Sequence, residues 1–239
     1  MKEKILQFLS IVIVLILALA FVVRFAGPSL LRQYIEAGVG NCGKNPILCK
    51  VPDSNILKPQ VDKNSTADFI PYKFPKMTIE APKGFSVVQE MIKKYYYKKD
   101  PSKRILEIIY VLHEEKDFFL QLFPEVRKMG IINNYDFVNR MMFAKPAEVK
   151  NITDAFFVII KSIFTPDMGE QKNAVMTRFQ MKDRKGYIIY NLSKAGNYFS
   201  CDVITDADSY YKVYAKDKNG KLSLEEVFAV ISTLSEPDQ

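Results

Sequence analysis

The densest chemistry in this 239-residue chain is a basic, aromatic run, Lys93-Lys94-Tyr95-Tyr96-Tyr97-Lys98-Lys99, with Lys103 and Arg104 close behind. Six cations less Asp100 carry most of the formal net charge of +7. Lysine and arginine beside rings that stack can hold phosphate backbones. The same charges suit anionic lipid headgroups or an acidic protein. A solvated strand whose tyrosines alternate into a core is the ordinary alternative. The candidate anionic-partner patch is therefore Lys93, Lys94, Tyr96, Lys98, Lys99, Lys103 and Arg104.

Cysteine offers a second kind of chemistry. Cys42 and Cys49 close the loop NCGKNPILC, which Gly43 and Pro46 can turn. A disulfide there is sterically open and would point to an oxidising compartment; two neighbouring free thiols are the plain alternative. The spacing is not a zinc pattern, since no second pair or histidine partner follows. Cys201 lies in an apolar stretch and reads as a small core residue. His113 is the only histidine, beside Glu114 and Glu115. Without a nucleophile motif it reads as a surface or helix-end residue. In AKDKNGKLSLEE, Asp217, Asn219, Gly220, Leu222 and Glu226 match half of an EF-hand loop. Ala215 stands where the first carboxylate is needed, so a turn leading into a capped helix reads better. Dinucleotide, P-loop and nucleophile-elbow motifs are missing from the sequence, so no catalytic residue, cofactor or metal ligand is assigned. The sequons at Asn64, Asn151 and Asn191 matter only in a eukaryotic secretory pathway.

These groups need elements to hold them. Ile5 to Val23 is an uncharged run of 19 residues with only Gln7 and Ser10 polar. At 1.5 Å per residue it approaches the length of a ~30 Å hydrocarbon core, which predicts a transmembrane helix. Ala18-Leu19-Ala20 would suit signal cleavage, but Phe21-Val22-Val23 continues the apolar run past it. A short basic head, Lys2 and Lys4, favours an N-terminus inside and a domain outside the cytoplasm, periplasmic in a bacterium. The expected organisation is an anchor over residues 1–25, a juxtamembrane segment and proline-rich linker over 26–76, a soluble domain over 77–235 and a tail over 236–239.

Within the domain, MTIEAPKGFSVV reads as two strands about a Pro82–Gly84 turn. Asp100-Pro101 followed by Ile105, Ile108, Ile109 and Leu112 predicts a helix, with a strand as the alternative because the run is β-branched. Further helices are expected over Asn134–Ala144 and Asp154–Phe164, the latter a core helix holding Lys161. The C-terminal third then alternates with period two: strands from Val175, a turn at Asp183–Gly186, YIIYNL, a turn, YFSCDVIT and YYKVYAK. Ser223 and Glu226 form a capping box ahead of an amphipathic helix over Leu224–Leu234. The fold class is thus α+β: an antiparallel sheet covered by helices, behind one N-terminal transmembrane helix.

IEAPKGFSVV, the hairpin and strand that follow in the C-terminal third, and a last helix ending in Ser232-Thr233 together resemble the Mog1/PsbP-like α/β/α sandwich. The likeness covers residues 77–90 and 174–234. That group contains nuclear-transport factors and extrinsic photosystem proteins, so the resemblance implies a binding rather than a catalytic role. None of the group's functional residues matches a position here. The expected function is a membrane-anchored extracytoplasmic binding or accessory domain. Its expected partners are the bilayer and a protein in or at the membrane, with nucleic acid not expected. The alternatives are an envelope enzyme acting on lipid or wall material, and a cytoplasm-facing basic domain for anionic lipid or RNA.

Overall fold

The computed structural model describes residues 27–61, 64–74, 76–82, 85–90, 93–99, 105–165, 171–193, 196–217 and 222–236. The protein is mixed α+β. Its strands are β1 (Ile56–Leu57), β2 (Phe69–Phe74), β3 (Met77–Pro82), β4 (Phe85–Glu90), β5 (Lys93–Lys99), β6 (Ile105–Glu114), β7 (Val175–Gln180), β8 (Arg184–Ser193), β9 (Gly196–Thr205) and β10 (Tyr210–Asp217). Its helices are α1 (Gly27–Ala37), α2 (Phe118–Leu122), α3 (Asn134–Phe143), α4 (Ile152–Phe164) and α5 (Leu224–Ser232). Two compact units divide the chain: Met1–Cys49 with Ala144–Phe164, and Lys50–Phe143 with Thr165–Gln239.

The larger unit is built on an eight-stranded sheet in the order β1-β7-β8-β9-β10-β6-β5-β4, with β2 and β3 forming a separate hairpin. Every neighbouring pair is antiparallel except β1 with β7. One face packs under α5 and β3: Val213, Phe199, Cys201, Val227, Phe228, Ile231, Met77 and Ile79 share one buried cluster. Aromatic residues of α2 and α3 cover part of the other face, with the Phe119 ring 4.3 Å from Phe137 and 4.9 Å from Tyr210. Strands buried on both sides lose the clean in-out alternation of a one-faced sheet, which explains the nearly continuous burial of β9 and β10. Gly186 is required where β8 passes β9, because a Cβ there would lie 1.8 Å from the Asp202 carbonyl oxygen.

Several expectations change. Residues 51–76 were expected to run as a semi-extended linker because of their prolines. They instead supply β1 and β2, which pair with β7 and β3. Proline is tolerated in such short and edge strands. The run from Ile105 is strand β6 rather than a helix, since β10 offers it a ladder from Glu107 to Glu114 and β-branched residues fit the pleat. The turn expected at Asp183–Gly186 is tighter. Met181 N–H donates to the Arg184 carbonyl at 2.8 Å, and Arg184 to Gly186 already belong to β8. Asp100-Pro101 and Gly84 lie outside the described residues. The capping box is present as read, with Ser223 Oγ accepting from Glu226 N–H at 3.1 Å and Glu226 Oε2 accepting from Ser223 N–H at 2.9 Å.

The smaller unit joins α1, α4 and two short 3-10 turns, Pro46–Cys49 and Pro146–Glu148. Its core is Ile35, Val149, Ala155 and Val158, with Leu31 and Ala144 at the margin. Gly40 admits the Pro146 ring, which a Cβ would meet at 2.9 Å. Asn151 caps α4, its Oδ1 accepting from Asp154 N–H at 2.9 Å. Among the described residues no helix is long and apolar enough to cross a membrane. The run Ile5–Val23 lies outside them.

Candidate functional site

Cys42 and Cys49 are joined as a disulfide in the smaller unit, with Cα atoms 5.7 Å apart. The basic run is strand β5. Lys94, Tyr96 and Lys98 register with Val111, Ile109 and Glu107, the row that continues to the buried Val213. Tyr95 and Tyr97 register with Tyr110 and Ile108, the alternate row. Lys103 and Arg104 lie outside the described residues.

His113 is a strand residue of β6 and not a surface or helix-end group. Its side chain is 6% exposed, its ring lies 4.6 Å from that of Tyr211, and its Nε2 is 3.9 Å from Glu236 Oε1. Glu236 Oε1 also accepts the Ser209 hydroxyl. Burial, then the Glu236 charge, pushes the Tyr211 hydroxyl up to about 12. The sequence shows neighbours along the chain but not the cross-strand pairing His113 with Tyr211 that buries this ring.

Opposite the α5 face sits a buried ionic group. Lys212 Nζ lies 2.9 and 3.0 Å from the two carboxylate oxygens of Asp202, and Tyr210 donates to the same carboxylate at 2.6 Å. Asp202 is wholly buried. Register explains the meeting, because Asp202 and Lys212 are direct cross-strand partners. Next in the same row, Tyr187 donates to Asn139 Oδ1 at 2.5 Å, and burial raises its hydroxyl pKa. One signal for this group was readable: a lone acid in YFSCDVIT and a lysine, Lys212, inside the apolar start of YYKVYAK.

Arg184 is likewise consumed internally. Its Nη1 donates to the carbonyls of Ile231 and Leu234 at 2.6 and 2.8 Å, at the C-terminus of α5, where a cation complements the helix dipole. Its Nε and Nη2 take both oxygens of Asp183, holding that carboxyl below its usual range. Asp217 accepts the Leu222 N–H at 2.7 Å, so the half EF-hand loop spends one of its carboxylates on the turn into α5. Among the described residues no group of three or more His, Cys, Asp and Glu is placed to hold a metal. Asn191 of the third sequon is 1% exposed and cannot take a glycan in the folded chain.

Among the described residues, a concavity follows the segment from Lys58 to Val61. Lys58-Pro59-Gln60-Val61 separates two adjoining openings of about 740 and 370 Å³. The first is bounded by Thr66, Gln180, Met181, Lys182 and Ser232, the second by Leu57, Ser65, Leu224, Glu225 and Phe228. Leu57, Val61, Met181 and Leu224 floor it as an outward extension of the core. An apolar floor with amide and lysine edges is a binding geometry. Its aspartate, Asp183, is occupied by Arg184. Comparison with known families and with curated proteins gives no match.

Proposed function

We propose that this chain is a membrane-anchored extracytoplasmic binding or accessory domain that holds or assembles a protein partner and performs no chemistry of its own. The observation that carries this reading is the Cys42–Cys49 disulfide, which follows closely behind the apolar run in the sequence. Disulfides persist where the surroundings are oxidising. Three polar features of the larger unit support a binding role. Asp202 with Lys212, Arg184 with Asp183, and Asp217 with the Leu222 amide all serve the fold. The groove along Lys58–Val61 is shaped to receive a partner segment.

Thiol labelling of intact cells with a membrane-impermeant maleimide tests the reading. Cys42 and Cys49 are expected to stay unlabelled until a reductant is added, then to react from outside. Reduced thiols reached only from the cytosol would overturn it.

A further inference from the structure

Helix α4 buries its one lysine and exposes an apolar stripe. A surface helix normally buries an apolar stripe and shows charge to solvent. Here the charge is inside: Lys161 is wholly buried and donates to the Ala144 carbonyl at 2.9 Å. Ala155, Phe157, Val158 and Ile160 are buried as well. Outside stand Ile152, Ile159 and Ile163, exposed by 82%, 38% and 67%, with the half-buried Phe156 between them. Their offsets from Ile152 (4, 7 and 11 residues) put all four on one narrow stripe of a 3.6-residue helix. Water gains nothing from such a stripe, and contiguous exposed apolar surface marks a contact with another apolar phase.

The position of α4 in the chain says which phase. It belongs to the same compact unit as α1, and the two helices share a core through Ile35, Ala155 and Val158. Only three residues separate the start of helix α1 at Gly27 from Val23, where the apolar run ends. Fully extended, that connection spans about 14 Å. A bilayer holding Ile5–Val23 therefore keeps α1 at its surface, and α1 itself exposes Leu30 and Tyr34. At about 20 Å long, α4 is too short to cross a ~30 Å core. A helix of this length lies in the interface plane, its apolar side about 5–10 Å into the headgroup–acyl boundary.

We propose that the outer stripe of α4, Ile152, Phe156, Ile159 and Ile163, docks onto the lipid surface of the bilayer that anchors the chain. The membrane then contacts the smaller unit at two places far apart in sequence, and the unit is held against the bilayer rather than swinging on a single tether. This rests on the anchored reading above, and the test separates the two.

The chain has no tryptophan, so a single introduced indole reports alone. Ile163→Trp, Ile132→Trp and Leu17→Trp are each made in the full chain and reconstituted into phosphatidylcholine vesicles with and without brominated acyl chains. Ile132, 72% exposed and in the larger unit, is the water-facing reference. The proposal expects Ile163→Trp to be quenched by bromolipid and to be several-fold less accessible to acrylamide than Ile132→Trp. If Leu17→Trp is quenched by bromolipid while Ile163→Trp matches Ile132→Trp, the docking is wrong and the anchor stands. If Leu17→Trp itself sits in water, both fall. If Ile163→Trp is shielded from acrylamide and bromine alike, a protein surface covers the stripe and lipid docking is overturned.

Discussion

The two units each bury a lysine, and they treat it differently. In the larger unit Lys212 meets the carboxylate of Asp202 at 2.9 Å, and a tyrosine hydroxyl completes the group. In the smaller unit Lys161 donates to a backbone carbonyl, and burial, helped by the nearby Lys145 charge, pulls its pKa down to about 7. Burial disfavours the charged form of a lysine, and a carboxylate beside it offsets that cost. The units also differ in how they are held. The larger has an extensive core and keeps Cys201 as a buried thiol, whose pKa burial raises. The smaller carries the cross-link, a device that commonly supports small cores.

The sharpest way to break this contrast is Asp202→Ala. It strands the Lys212 ammonium and removes the acceptor of Tyr210, and a loss of about 3–5 kcal/mol is expected in urea unfolding. Asp202→Leu combined with Lys212→Met should lose much less. Equal losses from the single and double variants would show that the pair is not the source. Opening the Cys42–Cys49 link by substituting both with serine should cost the smaller unit about 2–3 kcal/mol, the scale for closing a short loop. Protease sensitivity confined to that unit, reproduced by reductant on the native chain, is the expected signature.

Lys161→Met should do the opposite of Asp202→Ala. The folded pKa of Lys161 lies below the unfolded value of 10.5, so between about 7 and 10.5 the unfolded chain binds more protons. Stability contributed by this site therefore rises with pH across that window, and the penalty is fully present below it. Lys161→Met should gain on the order of 1–3 kcal/mol at pH 6 and flatten the pH dependence. A denaturation midpoint that falls in the variant at every pH would refute this account. The smallest effect belongs to Ser223→Ala, which removes one half of the capping box at α5. About 1 kcal/mol should be lost from the larger unit, with protease sensitivity of the smaller one unchanged.

Much of the architecture was legible in local patterns. Period-two alternation announced the strands from Val175 to Asp217, and Ser223 with Glu226 announced the start of α5. α3 and α4 end as expected ahead of Pro146 and Pro166. What misled was context. The prolines of residues 51–76 hid strands because pairing partners were invisible: Lys50 donates to the carbonyl of Lys172, 122 positions away, and Asn55 accepts from Thr177. Ile105–Glu114 carries a pattern that suits a helix or a strand, and only the ladder to β10 chose between them.

The candidate surfaces divide the same way. The basic run was visible as composition, and the tertiary structure adds that it is a strand paired with β4 and β6. The groove beside Lys58–Val61 was invisible, because it forms only where that segment meets α5 and the β7–β8 turn. α4 was recognised as apolar, but which of its sides faces in depends on what packs against Lys161. Element type, helix starts and the close pairing of two cysteines follow from neighbours a few residues apart, where backbone sterics and capping act. Strand partners, the burial of His113 and the outward turn of Ile152 and Ile163 come from contacts between distant segments, whose cost in chain entropy only the assembled core offsets.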